Sequence, residues 1–486
     1  MASFWLSSAE RRVCTDGFYR AYIPEAALAS SRPLSIGELM YAASRRGGGM
    51  TDPSTIDTPS PTTKYPRLRG IAPRYPLLAS NVTFLSGPHF LVNAPATLAR
   101  ALQSAKAQVE FHTFHDQEQP LDIRERTCAL WWGRDADPQS GKYVFGLITT
   151  HFVTDNRRRL NLMRRFLELL AIGCHFAAKA APVPIPVPTE HLKPQLGDDA
   201  EEARQAKIVF DELVNQYAKK PMSGIVADGT PAAALTPRIL RKVWSSEETA
   251  RILRACKAHG VTITHLVNIA GALSSVHDKS VNDDDDDALY FDFSQPMDIT
   301  AKIPQHPGGI TSSDLEVAVR IELYPVMLRV PRSVATGNES QESIWEVAKQ
   351  FKKQNDAFVK SPYFWHFLPM YRPMITESYN AKLAGRPAMP FMSSLGDLKT
   401  VLPARYPVQT SNTANGHAGD TGAEIRITEN WTAGRIDPFS LVYHLFTFDG
   451  RLYLQFRYNM NRTSSALIEP WFERVVAIVS RSTQDA

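Results

Sequence analysis

The chain has 486 residues, of which 43% are hydrophobic and 21% are charged, and its formal net charge is only +4. This is the composition of a globular protein, long enough for two domains that each have their own core. The charge is weak and no basic block accompanies a base-stacking motif, which argues against nucleic acid as a partner. The four cysteines are far apart and form no C-x-x-C pair, so neither a zinc site nor a disulfide framework is predicted.

The N-terminal sequence MASFWLSSAERRV contains no apolar core of the kind found in secretory signals. No run of about 18 apolar residues occurs in the sequence, so no membrane span is predicted. We therefore expect a cytoplasmic protein.

The most informative stretch of the first half runs from residue 143 to residue 172. Its first ten residues are almost all apolar or threonine, which predicts a fully buried strand. Asp155 is a good helix N-cap, and apolar residues then recur at helical spacing until Gly173. His151 is thus placed where a buried strand gives way to a helix, a rigid position that suits a catalytic group.

His151 and Asp155 form an H-x-x-x-D motif, which is a weak signal by itself. With 13 histidines and 50 acidic residues, about one such match is expected by chance. A second match, His112 and Asp116, has no long apolar strand before it and no helix start after it. This context favours His151 as the functional residue, and the alternative is a histidine that only packs in the core.

The helix predicted after Asp155 carries five arginines, three of them at its start, where the helix dipole does not favour cations. One interpretation is contact with an anionic ligand that carries phosphates, and the other is a solvated helix face. The five are Arg157, Arg158, Arg159, Arg164 and Arg165.

A proline at every second position marks the segment AAPVPIPVPTE, residues 180–190. Such a segment is extended and semi-rigid, and polar sequence follows it to about residue 235. We therefore predict an N-terminal domain over 1–185, a crossover linker over 186–235 and a C-terminal domain over 236–486.

The C-terminal part opens with two predicted helices. Ser245 and Glu248 match a capping box, Gly260 ends the first helix and Thr262 caps the second. The five aspartates at 283–287 predict a solvated loop, because adjacent carboxylates repel one another and lack the spacing of a calcium loop. No metal site is predicted.

Two later stretches carry candidate binding residues. Residues 361–374 are rich in aromatic side chains and include Trp365, and they either line an apolar substrate tunnel or pack in the core. His444 lies in the middle of a predicted hairpin strand, where it is a core residue or part of a tunnel wall.

The sequence PFMSSLGDL, residues 390–398, predicts a strand that carries two serines before Gly396. Side-chain alternation lets only one of Ser393 and Ser394 face a tunnel. The alternative is a plain loop, since Ser and Gly are common turn residues.

Taken together, the H-x-x-x-D segment, the paired helices after residue 245 and the SSLG strand resemble the CoA-dependent acyltransferase superfamily. This superfamily includes chloramphenicol acetyltransferases, plant-type BAHD acyltransferases, fungal alcohol and trichothecene O-acetyltransferases, and condensation domains of peptide synthetases. The fungal members are the most similar, and the resemblance covers most of 65–180 and 235–480. Asn156 stands where the family usually has Gly, Ser394 stands where Asn is usual, and the plant-type D-F-G-W-G motif is absent.

The resemblance implies an α/β fold of two chloramphenicol-acetyltransferase-like lobes, each a mixed sheet flanked by helices, with a tunnel between them. It implies that His151 is the general base, that Asp155 shapes the backbone and that Arg74 forms an ion pair with Asp155. Arg74 as a surface residue, with Asp155 only capping its helix, is the alternative. By the same resemblance, Ser393 would be the catalytic hydroxyl that donates to the oxyanion of a tetrahedral intermediate. The predicted tunnel residues are Ser394, Gly396, Trp365 and His444.

The implied function is transfer of an acyl group, expected to be acetyl, to a hydroxyl of a small apolar secondary metabolite. Acetyl-CoA would be a co-substrate, no permanently bound cofactor is expected, and we expect a monomer. Two alternatives stay open on the same fold. One is a condensation-type catalyst that takes its acyl group from an acyl-carrier protein, and the other is a non-transferring binding protein or cyclase.

Overall fold

The structure is a computed structural model. It describes the residues 30–33, 50–57, 80–83, 89–92, 109–113, 128–134, 142–149, 151, 153–172, 189–192, 194, 196, 200–219, 222–230, 236–276, 287–303, 318–335, 341–410, 419–434 and 441–482.

The described strands and helices follow one another along the whole chain. The strands are β1 (Ser30–Pro33), β2 (Met50–Asp57), β3 (Ser80–Thr83), β4 (His89–Val92), β5 (Val109–Thr113), β6 (Cys128–Arg134), β7 (Lys142–Thr149), β8 (Met222–Ser223), β9 (Pro237–Val243), β10 (Ala288–Asp298), β11 (Ile321–Pro331), β12 (Phe391–Asp397), β13 (Arg405–Thr410), β14 (Gly419–Asn430), β15 (Ala433–Gly434), β16 (Val442–Phe448) and β17 (Arg451–Asn459). The α-helices are α1 (Asn156–Ile172), α2 (Ala200–Lys219), α3 (Ser246–Ala258), α4 (Ile263–Ser274), α5 (Arg332–Ala335), α6 (Gln341–Val359), α7 (Phe364–Leu383) and α8 (Ser465–Arg481). Short 3₁₀ helices occupy Thr189–Leu192 and Thr300–Lys302.

The chain forms two compact units, and each unit is assembled from three segments. Unit 1 contains Met1–Leu192, Gln305–Arg320 and Asp397–Arg435, and unit 2 contains Lys193–Pro304, Ile321–Gly396 and Ile436–Ala486. The predicted domains were contiguous, whereas unit 1 takes segments from both sides of the predicted linker. The reason is strand pairing, because β14 and β15 from the last third of the chain pair with β2 from its beginning.

The main sheet of unit 1 has the order β13-β14-β2-β7-β6-β5, with β15 also beside β2. It is mixed, since β5 and β6 are parallel and the other pairs are antiparallel. β7 lies inside the sheet, and α1 covers it through stacking of Phe145 on Phe166, whose ring centroids are 4.7 Å apart. The buried strand and the helix predicted around residues 143–172 are therefore confirmed.

Unit 2 contains a mixed sheet, β11-β10-β8, and a second sheet of order β12-β16-β17-β9. The helix α4 is buried along nearly its whole length. It contacts β10 through a hydrogen bond from Asn268 to Gln295, and it approaches β16 closely at Gly271 and Tyr443. The mixed sheets flanked by helices that we predicted are thus present in both units.

The predicted capping box is confirmed at the start of α3. The Ser245 hydroxyl accepts the N–H of Glu248 at 3.1 Å, and the Glu248 carboxylate accepts the N–H of Ser245 at 2.7 Å. None of the described helices combines the length and the apolar character needed to cross a bilayer.

Candidate active site: the His151–Asp155 turn and strand β12

His151 lies in the turn between β7 and α1, as the sequence predicts. The residue is half-buried, so it is neither fully exposed on the outside nor fully enclosed. Next to it, Val153 and Thr154 are completely buried, and they anchor the turn in the core of unit 1. A histidine held in this way is partly accessible and has a restricted backbone, as a general base requires.

Asp155 is 2% exposed, and its carboxylate accepts three hydrogen bonds among the described residues. Oδ1 accepts the backbone N–H of Arg158 at 3.1 Å, as an N-cap does, and Oδ2 contacts the Arg158 guanidinium at 2.5 Å. Oδ2 also accepts the backbone N–H of Arg320 at 3.0 Å. The carboxylate therefore holds the start of α1 to a second chain segment, a geometry that suits a backbone-shaping role.

The arginine that pairs with Asp155 in the described structure is Arg158. Arg74, the predicted partner, lies outside the described residues, and its pairing stays a prediction. The sequence alone could have suggested Arg158 as the partner, because it lies three positions after Asp155 and this spacing brings side chains together on a helix. Our interpretation of the arginine run as one solvated face is wrong for Arg158 and Arg159, which are 2% and 0% exposed, although Arg157 is exposed.

The second segment that contacts the turn is residues 318–320. Besides the bond from Arg320, the Ala318 carbonyl accepts the backbone N–H of Asp155 at 3.3 Å. Arg320 in turn donates to the hydroxyl of Thr189 at 3.0 Å. Sequence reasoning missed Ala318, Arg320 and Thr189, because no local pattern connects residues that are more than 100 positions apart.

The two serines of β12 have different environments. Ser394 is exposed, and its hydroxyl oxygen shares a 2.7 Å hydrogen bond with that of Thr264 in the first turn of α4. Ser393 is half-buried. The alternation agrees with a strand rather than the plain loop that we left open. Which serine contacts substrate stays a prediction, and Thr264 was missed.

Gly396 has a φ of +70°, a conformation that favours glycine whether or not the residue lines a tunnel. Trp365 is 8% exposed, and its indole N–H donates to the Lys302 carbonyl at 3.3 Å. His444 is 1% exposed and lies opposite Gln455 on β17. Packing in unit 2 therefore accounts for Trp365 and His444, and their tunnel role stays a prediction.

The predicted site residues are thus divided between the two units. His151 and Asp155 belong to unit 1, whereas Ser393, Ser394, Gly396, Trp365 and His444 belong to unit 2. Among the residues that the structure describes, no group of three His, Cys, Asp or Glu side chains could hold a metal ion.

The buried histidine His265, in the first turn of α4, has a shifted pKa. His265 is 5% exposed, and burial lowers its pKa to about 4. Its Nδ1 accepts the backbone N–H of Thr262 at 3.2 Å at the start of α4. Only a neutral imidazole nitrogen can accept this bond. His265 is therefore a helix-capping residue, and its shifted pKa has a structural cause.

Comparison with known proteins identifies the fold. No protein-family model and no curated protein matches the chain. Among solved structures, the TRI3 trichothecene 15-O-acetyltransferase from Fusarium sporotrichioides is similar with a TM-score of 0.73 and 14% identity, over 93% of this chain and 95% of that one. The chain therefore has the same fold as this acetyltransferase.

Two further structures with this fold come from peptide synthetases. The first condensation domain of the CDA synthetase has a TM-score of 0.62 and 15% identity, over 94% of this chain and 97% of that one. The EpoB cyclization-docking bidomain from Sorangium cellulosum has a TM-score of 0.59 and 13% identity, over 98% of this chain and 90% of that one. At these identities the similarity establishes the α/β fold that the sequence predicted.

Proposed function

We propose that the protein is an O-acyltransferase that moves an acyl group, expected to be acetyl, from acyl-CoA to a hydroxyl of a small apolar metabolite. His151 is the general base. The observation that carries the proposal is the turn between β7 and α1. There a half-buried histidine lies four residues before Asp155, whose carboxylate accepts three hydrogen bonds. The fold shared with a trichothecene acetyltransferase supports it.

The chemistry follows from the residue types. An alcohol is a poor nucleophile near neutral pH, so the neutral imidazole of His151 takes its proton while the oxygen attacks the thioester carbonyl. A C–O bond forms, and collapse of the tetrahedral intermediate breaks the C–S bond. The leaving thiolate then takes the proton back from the imidazolium. No acyl-enzyme is required, and a hydroxyl such as that of Ser393 would donate to the oxyanion.

The test is thiol release from acetyl-CoA, measured with and without each of a panel of terpenoid and polyketide alcohols. We expect release that depends on the alcohol and that disappears in His151→Ala. His112→Ala is the matched control, because His112 belongs to the other H-x-x-x-D match in the chain. Equal activity in wild type and His151→Ala would refute the proposed base.

A second candidate is a condensation-type catalyst that accepts its acyl group from a carrier protein. The similarity to condensation domains over nearly the whole of both chains favours it. Turnover with an acyl-loaded carrier protein, together with no thiol release from acyl-CoA, would select this function. No turnover with either donor would favour a binding protein or cyclase.

A further inference from the structure

The backbone of Asp155 and its side chain are both attached to one distant segment. The N–H of Asp155 donates to the carbonyl of Ala318, and its carboxylate accepts the N–H of Arg320. These two bonds lie on either side of Val319, so the turn and the segment 318–320 are held at two points. A displacement of this segment therefore displaces the turn that carries His151.

The buried guanidinium of Arg320 holds the segment 318–320 in place. Arg320 is 2% exposed, and its Nη1 lies 3.0 Å from the Thr189 hydroxyl and 3.5 Å from the Val319 carbonyl. The same hydroxyl donates to the Val319 carbonyl at 2.9 Å. Arg320, Val319 and Thr189 thus form a closed set of contacts. Burying a guanidinium is costly unless such contacts engage it, so its position is well defined.

Thr189 and Arg320 both lie next to points where the chain passes from unit 1 to unit 2. The chain leaves unit 1 after Leu192, three residues beyond Thr189, and leaves it again directly after Arg320. Within unit 1, the contact between Arg320 and Thr189 therefore ties together two of the three points at which the chain leaves this unit. Asp155 connects this tie to the turn of His151.

We infer that Arg320 and Thr189 are positioning residues for His151. Arg320 holds the segment 318–320 against Asp155 through its contact with Thr189, and this fixes the turn that carries the imidazole. The inference rests on the proposed function for its kinetic consequence, because a base displaced by about 1 Å can lose about a hundredfold in rate. The placement of the imidazole is a structural consequence that can be measured without any reaction.

Four variants separate the side-chain contacts from the backbone bonds, which all of them keep. Arg320→Ala removes the guanidinium, and Arg320→Lys keeps a charge. Thr189→Val keeps the shape of the side chain but removes the hydroxyl, and Thr189→Ser keeps the hydroxyl. Arg462→Ala is the matched control, since Arg462 is 3% exposed and donates to the carbonyls of Gly229 and Lys382 in unit 2.

The kinetic measurement is kcat and KM for thiol release. We expect Arg320→Ala and Thr189→Val to lower kcat about tenfold to hundredfold with KM nearly unchanged. Arg320→Lys should retain a higher kcat than Arg320→Ala, and Thr189→Ser a higher kcat than Thr189→Val. Arg462→Ala should change the melting temperature but leave kcat close to the wild-type value. Wild-type kcat in both Arg320→Ala and Thr189→Val would overturn the inference.

The second measurement does not depend on activity. Diethyl pyrocarbonate modifies accessible imidazoles, and mass spectrometry of the peptide that contains His151 gives the rate at this one residue. We expect Arg320→Ala and Thr189→Val, but not Arg462→Ala, to change this rate severalfold in folded protein. If Arg320→Ala fails to fold, Thr189→Val still decides, and an unchanged rate there refutes the inference. If the wild type showed no transfer activity but the variants changed the modification rate of His151, the proposed function would be refuted and the positioning role would be supported.

Discussion

His151 and Asp155 are four residues apart but have different surroundings. His151 is half-buried in a turn, whereas Asp155 is 2% exposed and its carboxylate accepts hydrogen bonds from Arg158 of α1 and from Arg320. In the proposed function, His151 carries out the chemistry and Asp155 supports the backbone. Substitutions at the two positions should therefore affect different properties.

Replacing His151 by Ala should remove the proposed base and leave the fold intact. A half-buried side chain contributes little to the core, whereas a general base contributes about 10²–10⁴ in rate. We expect kcat to fall by this factor while the urea midpoint stays within error of wild type. A large shift of the midpoint would show instead that His151 is a packing residue.

Replacing Asp155 by Ala should destabilise the protein. It leaves the Arg158 charge in a buried site without this carboxylate, which costs about 3–5 kcal/mol in measured cases. Asp155→Asn, whose amide oxygen still accepts N-cap bonds, should fall between Ala and wild type. Urea unfolding measures all three. If Asp155→Ala were as stable as wild type yet inactive, the carboxylate would belong to the chemistry.

His265 should make stability depend on pH between about 6.5 and 4. Burial lowers the pKa of His265 to about 4 in the folded state, whereas an unfolded histidine has a pKa of about 6.5. Below pH 6.5 the unfolded chain therefore binds a proton that the folded protein does not. Above pH 6.5 the full contribution of neutral His265 to the free energy of unfolding is present. Between pH 6.5 and about 4 this contribution decreases by about 1.4 kcal/mol for each pH unit that the pH falls.

His265→Gln is the variant that tests this dependence. A glutamine at this position can accept the N–H of Thr262 without titrating. The difference in unfolding free energy between wild type and variant should shift in favour of the variant as the pH is lowered from 7 to 4. Parallel pH curves for the two proteins would contradict the assignment of the shift to His265.

At the scale of elements, α4 is a buried helix that packs closely against β16. Gly271 lets it approach β16 so closely that an added Cβ would lie 2.9 Å from the Tyr443 hydroxyl oxygen. Tyr443 is 1% exposed, and its ring packs near Phe456 and Trp471, so it has little freedom to move. Helix propensity alone favours Ala over Gly by about 1 kcal/mol. Here packing opposes propensity.

Gly271→Ala should therefore destabilise the protein by about 1–3 kcal/mol, the usual cost of overpacking. Among the described residues, the Tyr443 hydroxyl has no hydrogen-bond partner, so Tyr443→Phe should be neutral or stabilising. In the Tyr443→Phe background the cost of Gly271→Ala should shrink or reverse. Additive effects in this double-mutant cycle, measured by urea unfolding, would show that the two residues do not clash.

At the scale of the whole molecule, unit 1 is built from three separated segments. β14 pairs with β2, and Arg164 of α1 donates to the Thr400 carbonyl at 2.9 Å. A fragment of residues 1–192 lacks these partners and also the segment 318–320. Its exposed sheet edge and uncovered helix should prevent folding.

We expect the 1–192 fragment to show narrow amide dispersion in ¹H–¹⁵N NMR spectra and no cooperative urea transition. The full chain, prepared in parallel, should unfold cooperatively under the same conditions. A cooperative transition in the isolated fragment would mean that its own residues suffice for a stable core. The interleaved assembly would then be unnecessary for stability.

Local patterns in the sequence determined the elements around the site. The apolar run before His151, the N-cap at Asp155 and the capping box of Ser245 and Glu248 each act within a few residues, so β7, α1 and α3 were predictable. The resemblance carried by these motifs also led to the fold. The predicted tunnel and the contacts of Arg74 depend on arrangement beyond these local rules.

Only the tertiary structure decided which residues surround Asp155. Arg320 and Thr189 are hydrogen-bonded across 131 positions of the chain, and Arg158 and Arg159 are buried although their sequence reads as a charged helix face. The sequence also read as contiguous domains, whereas pairing of β14 with β2 interleaves the segments. Hydrogen bonds and burial depend on proximity in space, and a single chain without its fold carries no local signal of such distant neighbours.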